Sequence, residues 1–388
     1  MMELIYFDHS ATTPMHPEAI REYAETAALG PGNPSSLHAH GRAARSRLTA
    51  ARDKLAAILG CSPSELVFTG GGTESDNAAL YGAAWAQRKR DPKRSVIVTT
   101  AIEHHAVLNA CRKLEAEGFE LVLLPVDETG RVSAADADKA IGETTAVVSV
   151  MAANNEVGTL QPIGEIGRIA RERGAVMHVD AVQAFGYEPI DLRELPVDLL
   201  SLSAHKIGGP QGVGLLYIRQ GTPYEPTLRG GSQERNRRAG TENVAGIAAF
   251  ARAAEIAAGS REERRAHAAA VRSALLEGLA EELGPDGFRV NGHPDESARL
   301  PHILNVSFPG LSNETMLMNL DLSGVAASGG SACTSGSLQP SHVLTAMGLP
   351  AHFCQSAIRF SFGLGNNTEE AQKTAKIIAT IATRLRRR

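Results

Sequence analysis

Short apolar segments alternate with helical patterns along the first half of the chain. The apolar segments are rich in β-branched and aliphatic residues, as is typical of buried strands, and they occupy residues 66–69, 95–99, 120–125, 146–151, 175–180 and 198–203. Helical periodicity fills several of the intervening stretches, including residues 42–59, 133–142 and 162–173. Because strands that alternate with helices form a mostly parallel sheet covered on both faces, the predicted fold class is α/β.

Polar side chains follow these predicted strands. In a parallel sheet the carboxyl ends of the strands meet at one edge, and ligands bind there. The candidate residues that share this placement are Thr73, His104, Asn155, Asp180, Gln183, His205 and Lys206. The sequence therefore predicts one ligand site at that edge of the sheet.

Lys206 and Asp180 indicate the chemistry of this site. A lysine at the end of a buried strand is poorly solvated, so its pKa should fall, and such an amine can condense with an aldehyde. Asp180 ends the preceding strand, 26 residues earlier. A pyridoxal phosphate enzyme needs a lysine for the aldehyde and an acidic partner for the pyridinium nitrogen. The pair predicts such a cofactor, whereas either motif alone is a weak signal, and a lone lysine is more often a surface residue in a turn.

A glycine-rich turn, residues 70–72, follows the strand at 66–69 and leads into a helix. Free backbone N–H groups and the helix dipole at such a turn bind anions, and the hydroxyl of Thr73 can add a donor. The turn therefore predicts a phosphate site. A plain flexible turn is the alternative, because no Walker lysine follows.

Residues 326–337 are nearly all small, and Cys333 lies among them. Such a stretch buries little apolar surface, so we expect a mobile loop with an exposed thiol. Proteins normally avoid exposed free cysteines. The segment therefore favours a nucleophile that moves between two places, with an ordinary loop thiol as the alternative.

Arg359 is a cation inside an otherwise apolar strand pattern at residues 357–362. A buried guanidinium needs an anionic partner. The carboxylate of a small substrate and a structural salt bridge are both compatible with this position.

Composition excludes several classes of function. The chain has 388 residues and a net charge of −4, which does not suit a general nucleic-acid binder. Its four cysteines form no C-x-x-C pair, so we predict neither a zinc site nor a disulfide framework. Nothing at the N-terminus has the blocks of a signal peptide, and no apolar stretch is long enough to span a membrane. The expectation is a cytoplasmic protein without a resident metal.

The pattern changes along the chain. Residues 1–40 are rich in His, Pro, Ser and Gly and are predicted to be irregular, and residues 243–283 are predicted to form a helical connector. From residue 288 the pattern becomes α+β. We predict a large cofactor-binding domain over residues 16–257 and a small domain over residues 258–388, with residues 1–15, that carries the cysteine loop.

Taken together, these motifs resemble the cysteine desulfurases of the NifS/IscS type, which are class V, fold-type I pyridoxal phosphate enzymes. The likeness covers nearly the whole chain. It is carried by the motifs at residues 8–13, 32–36, 68–77, 103–105, 154–158, 178–183, 203–206, 238–241, 331–335 and 359–361. The long Ser-Ala-Cys-Thr-Ser loop resembles the group I enzymes. Gly70 and Gly329 depart from the family, which often has serine there, as does Ser232, where glycine is common.

The resemblance implies a seven-stranded, mostly parallel sheet, a smaller α+β C-terminal domain and a role for each site residue. Lys206 binds the cofactor aldehyde and moves protons, Asp180 pairs with the pyridinium nitrogen, and His104 stacks on the ring and can assist as acid or base. The other implied cofactor contacts are Gln183 on the ring hydroxyl, Asn155 beside the ring, and Gly72, Thr73, Ser203, His205 and a second subunit's Thr241 on the phosphate.

The resemblance also implies a substrate and a reaction. Asn155, Arg359 and Asn33 hold the carboxylate of L-cysteine, and Cys333 takes the sulfur as a persulfide, leaving L-alanine. The implied partners are a second copy of the chain and an iron–sulfur scaffold or another acceptor, and Cys333 is the residue that would transiently meet a cluster. The alternatives are a selenocysteine lyase, a class V aminotransferase and a non-catalytic scaffold for sulfur-transfer partners.

Overall fold

A computed structural model of the chain describes residues 4–330 and 340–386. Cys333 lies outside the described residues. Within them, the helices are α1 (Pro17–Ala28), α2 (Ala39–Leu59), α3 (Gly72–Arg90), α4 (His105–Ala116), α5 (Ala134–Ala140), α6 (Ile163–Glu172), α7 (Gln233–Asn236), α8 (Val244–Gly259), α9 (Arg261–Leu283), α10 (Asn313–Leu322), α11 (His342–Ala346), α12 (Ala351–Cys354) and α13 (Thr368–Arg386). The strands are β1 (Ile5–Tyr6), β2 (Leu66–Thr69), β3 (Val96–Thr100), β4 (Glu120–Leu124), β5 (Thr145–Ser149), β6 (Val176–Asp180), β7 (Leu199–Ser203), β8 (Gly214–Ile218), β9 (Arg289–Asn291), β10 (Ile303–Ser307), β11 (Val325–Ala326) and β12 (Ala357–Ser361).

The main sheet has seven strands in the order β2-β8-β7-β6-β5-β3-β4. Strands β3 to β7 pair in parallel, and β8 runs antiparallel to both of its neighbours, β2 and β7. Every residue of β5, β6 and β7 is buried, as expected for strands covered on both faces. The predicted α/β fold with a mostly parallel sheet is confirmed.

Alternate residues of each strand pack against different helical layers, because successive side chains point to opposite faces of a sheet. Val148 and Leu200 belong to the hydrophobic core that includes residues of α2 and α8. Val147 and Leu199 belong to the core formed with α3 and α4. This alternation places His178 and Asp180 of β6 on the α3 side, with consequences for the site described below.

A second group of elements follows the main sheet in sequence. Strands β9, β10 and β12 form an antiparallel sheet in the order β12-β10-β9. Its apolar residues pack with α9, α10 and α13 and with Ile5 and Phe7 from the start of the chain. The N-terminal segment therefore packs with the C-terminal elements, and the predicted domain boundaries at residues 15 and 257 stay predictions. No helix in the described ranges is both long and apolar enough to cross a bilayer.

One expectation from the sequence is wrong, and another is refined. Residues 1–40 are not irregular throughout, because α1 begins at Pro17 and packs against α8. Its N-cap is His16, whose Nδ1 accepts the Glu18 N–H at 3.2 Å, and histidine is not one of the usual capping residues. The helical prediction for residues 243–283 is confirmed, and the stretch divides into two helices, since α8 ends at Gly259 and α9 begins after Ser260.

The short turn at α7 has an unusual backbone. Glu234, Arg235 and Asn236 all have positive φ, at 47°, 59° and 62°, a region that non-glycine residues rarely adopt. The buried Arg52 guanidinium binds both carboxylate oxygens of Glu234, at 2.8 and 2.6 Å, and the Phe68 N–H donates to the same carboxylate at 3.0 Å. This buried ion pair holds the turn in place against the edge strand β2.

Candidate active site

A cavity of about 210 Å³ opens at the carboxyl ends of the parallel strands. It gathers nearly all of the residues that the sequence predicted for the cofactor. The residues that line it are Ser10, Ala11, Gly72, Thr73, Asp76, His104, Met151, Ala153, Asn155, Asp180, Val182, Gln183, Ser203, His205, Lys206 and Arg359.

Lys206 reaches this cavity from the single turn of 3-10 helix that follows β7. Its ammonium group donates to the Ala11 carbonyl at 2.8 Å and to the Ser10 carbonyl. Gln183 donates to the same Ser10 carbonyl at 3.0 Å. The N-terminal segment therefore forms one wall of the site and positions the lysine amine within it.

Asp180 is the last residue of β6 and forms the floor of the cavity. Its Oδ1 accepts the Val182 N–H at 2.9 Å. Burial raises the pKa of the Asp180 carboxyl to about 6, while the Val182 hydrogen bond and the charge of Lys206 oppose that shift. A cationic group bound in the cavity would favour the carboxylate still further.

The N-terminus of α3 forms another end of the cavity. Gly71 caps this helix without a side-chain hydrogen bond, which leaves the first N–H groups without a side-chain acceptor. A Cβ on Gly72 would lie 2.9 Å from Val182 Cγ2, so a larger residue would crowd this end. Ser203 and His205 also line it, and it continues into an open cleft that Gln211 and Gly212 border. This arrangement suits a phosphate group.

His104 forms a side wall and is the N-cap of α4. Its Nδ1 accepts the Ala106 N–H at 3.2 Å, so the neutral ring carries its proton on Nε2. Burial lowers the pKa of His104 to about 4, and nearby Lys206 and His105 act in the same direction. The ring is therefore uncharged near neutral pH, which suits stacking and leaves Nε2–H as a donor.

Arg359 lies in β12 and is 1% exposed. Its Nη1 donates to the Asn155 carbonyl at 3.0 Å and its Nη2 to Asp8 Oδ1 at 2.8 Å. Its buried Nε has no acceptor within the described residues. The structural salt bridge that the sequence left open is thus present, and the guanidinium also borders the cavity.

Two predicted residues are not brought to the cavity. Asn33 is exposed, and its side chain accepts the Ser35 N–H at 2.9 Å within its own turn. Thr241 is exposed as well, and its predicted role depends on a second subunit. These two roles, and that of Cys333, stay predictions.

Several functional candidates were given no role in the sequence analysis, although each lies in a motif that carries the family resemblance. Asp8, Ser10 and Ala11 belong to the motif at residues 8–13, whose position beside Lys206 depends on tertiary structure. Asp76 lies within α3, where a lone acidic residue is usually a solvent-facing one. Glu103, beside His104, is buried and accepts hydrogen bonds from Thr100 Oγ1 at 2.7 Å and Met151 N–H at 3.0 Å. Burial raises the pKa of Glu103 to about 8.

Comparison with known proteins gives a consistent result. The family model for class-V aminotransferases matches residues 5–374. The putative cysteine desulfurase IscS 1 of Bacillus subtilis (strain 168) is 47% identical over 385 residues, covering 99% of this chain and 100% of that protein. The cysteine desulfurase IscS of Methanosarcina thermophila is 45% identical over 382 residues, covering 98% of this chain and 93% of that protein.

Solved structures agree. A NifS-like protein superposes with a TM-score of 0.89 at 39% identity, covering 98% of this chain and 99% of that one. SspA, solved in complex with cysteine, superposes with a TM-score of 0.80 at 33% identity, covering 92% of this chain and 99% of that one.

Proposed function

The chain belongs to the aminotransferase class-V family, and on that premise we propose that it is a pyridoxal phosphate-dependent cysteine desulfurase. It would convert L-cysteine to L-alanine and pass the sulfur, as a persulfide on Cys333, to an acceptor. The observation that carries the proposal is the cavity in which Lys206, Asp180 and Arg359 meet. Relatives named as cysteine desulfurases, similar over nearly the whole chain, support the choice of reaction.

The residues present fit pyridoxal phosphate. Asp180 is a buried acid whose carboxylate a ring cation would stabilise, and the α3 N-terminus with Gly72 and Thr73 is open to an anion. Lys206 would hold the aldehyde carbon, and the uncharged His104 would lie against the ring. The remaining contacts would be Gln183 and Asn155 at the ring and Ser203 and His205 at the phosphate. When bound, the cofactor supplies an electron sink for a carbanion at the substrate Cα.

The substrate side of the proposal depends on Arg359 and Asn155. A guanidinium presents paired donors that match a carboxylate, and the Nε of Arg359 has no acceptor among the described residues. Its Nη1 contact with the Asn155 carbonyl fixes the two residues relative to each other. Arg359 and Asn155, with Asn33, would orient the amino acid so that its Cα proton faces the Lys206 amine, which would take up and return that proton.

Cys333 would act on the sulfur of the oriented substrate. Its thiolate is the nucleophile. As the bond between the two sulfurs forms, the substrate Cβ–S bond breaks, and Cβ is protonated as alanine forms. The sulfur stays on Cys333 until an acceptor thiol or an iron–sulfur scaffold removes it. The cysteine desulfurase IscS names of the relatives support an acceptor in iron–sulfur cluster assembly.

We also propose that the enzyme is a homodimer. The phosphate end of the cavity continues into an open cleft bordered by Gln211 and Gly212. Thr241 is exposed and lies outside its own cavity, so it is available to the phosphate end of a second copy.

The described cysteines, Cys61, Cys111 and Cys354, are unpaired, which supports a cytoplasmic location.

Two variants test the proposal. Lys206→Ala should abolish the visible absorption band of the bound cofactor, whereas Cys333→Ala should keep that band and lose alanine formation from L-cysteine. Cys61→Ala is the matched control for the second variant, since Cys61 is a thiol remote from the cavity. Full-rate alanine and sulfide release by Cys333→Ala would show that Cys333 is not the nucleophile. Release of a keto acid instead of alanine would identify an aminotransferase, and a strong preference for selenocysteine would identify a lyase for that substrate.

A further inference from the structure

Asp76 is a second carboxyl group at the floor of the cavity, and the proposed chemistry does not use it. It lies in the second turn of α3, is 1% exposed, and lines the same cavity as Asp180. Its Oδ1 has no hydrogen-bond partner among the described residues. A buried carboxyl group in this position must either find a cation or remain protonated.

The neighbouring histidine does not supply that cation. His178 Nε2 lies 3.6 Å from Asp76 Oδ1, which is beyond hydrogen-bond distance. Its two ring nitrogens are instead matched to hydroxyl groups, with Nδ1 2.8 Å from Ser149 Oγ and Nε2 2.9 Å from Ser201 Oγ. Burial lowers the pKa of His178 to about 3, so its ring is neutral.

The other charged groups around Asp76 also oppose its ionisation. Burial raises the pKa of Asp76 well above its usual value, the nearby carboxyls of Asp180 and Glu103 raise it further, and a hydrogen bond with the Ser201 hydroxyl opposes the shift. Lys206 lowers the pKa of Asp180. Two carboxyl groups that share a low-dielectric site cannot both ionise easily, and the more exposed one next to the cation loses its proton first. That group is Asp180, which is 7% exposed against 1% for Asp76.

We propose that Asp76 is a positioning residue that remains a neutral carboxylic acid and thereby confines the negative charge of the cavity floor to Asp180. This inference rests on the proposed cofactor chemistry, because the Asp180 carboxylate is the group that would face the ring nitrogen. An ionised Asp76 would compete with Asp180 for the ring cation. A neutral Asp76 instead adds no second negative charge at the floor.

Infrared difference spectroscopy tests the protonation state directly and without turnover. At neutral pH the wild-type minus Asp76→Asn spectrum should show the carbonyl stretch of a protonated carboxylic acid. Because Glu103 is also expected to be protonated, the comparison is made in a Glu103→Gln background. A difference spectrum with carboxylate bands instead would overturn the proposal.

Cofactor affinity, followed by the visible absorption band, gives a second readout. Asp76→Ala and Asp76→Asn both keep this position uncharged, so neither should weaken binding by the roughly tenfold expected for loss of a charged partner. Equal weakening by both variants would show that Asp76 acts as an anion. If wild-type protein bound no pyridoxal phosphate at all, the proposed function would fail while the infrared result would still stand.

Discussion

Arg359→Lys tests how the cavity selects an amino acid. The substitution keeps a positive charge but removes the planar fork of donors that a carboxylate needs. In the structure, Nη1 and Nη2 already hold the Asn155 carbonyl and the Asp8 carboxylate. A lysine ammonium in the same place can keep the contact with Asp8 but cannot hold all of these groups and a substrate carboxylate in one geometry.

The expected size of the effect follows from the lost donor. A hydrogen bond to a charged group contributes about 1.5–3 kcal/mol. Since 1.4 kcal/mol corresponds to a factor of ten, kcat/KM for L-cysteine should fall roughly 10- to 100-fold. The loss should be specific to the carboxylate, so cysteamine, which has the amine and thiol but no carboxylate, should bind the variant about as well as the wild type.

The assay therefore compares L-cysteine with cysteamine, each titrated against the visible absorption band of the bound cofactor, alongside alanine formation from L-cysteine. Arg299→Lys is the matched control, because Arg299 is also 1% exposed but donates only to the carbonyls of His293 and Ile303, away from the cavity. If Arg359→Lys left the preference for L-cysteine over cysteamine unchanged, the carboxylate role of Arg359 would be refuted.

Two further predictions concern stability. Because burial raises the pKa of Glu103 from 4.5 to about 8, the folded state holds this proton over a range in which the unfolded state releases it. As the pH rises from 5 to 8, the free energy of unfolding of the wild type should therefore fall, relative to that of Glu103→Gln, by about 1.4 kcal/mol per pH unit. If urea denaturation showed the same pH dependence of stability for both proteins, the raised pKa of Glu103 would be contradicted. Glu234→Ala should cost about 3–5 kcal/mol, because it leaves the buried Arg52 guanidinium unpaired. Glu225→Ala is the control, because it removes the partner of Lys89, whose side chain is 78% exposed, and it should lower the free energy of unfolding by about 1 kcal/mol or less. Similar denaturation midpoints for Glu234→Ala and Glu225→Ala would refute a stabilising role for the buried ion pair.

Sequence reasoning succeeded where the deciding property was local. A buried strand and the polar residue after it are both visible in a short window, so Asp180 and Lys206 could be placed at one edge of the sheet before the topology was known. Helix α1 was missed because its cap is His16 and its turn-forming neighbours resemble a loop. The contact between Asp8 and Arg359 joins residues 351 positions apart, and no local pattern could predict it.

Asp76 was missed for a different reason. Its burial results from the packing of α3 against the sheet, and the small residues around it, such as Ala79 and Ala83, give that helix no clear polar face. A lone aspartate in such a helix could as well face solvent. The role predicted for Thr241 requires a second copy of the chain, so the structure of a single chain does not test it.

Two histidines can lie beside Lys206 in the cavity because neither ring carries a charge near neutral pH. Burial lowers the pKa of both His104 and His205 to about 4, and in each case the positive charge of Lys206 adds to the shift. The two rings are therefore neutral near pH 7 and contribute shape and hydrogen bonds. Among the residues that line the cavity, the cationic side chains are then Lys206 and Arg359. Under the proposed function, Arg359 would attract the substrate carboxylate, and the amine end would be placed by the cofactor held between Lys206 and Asp180.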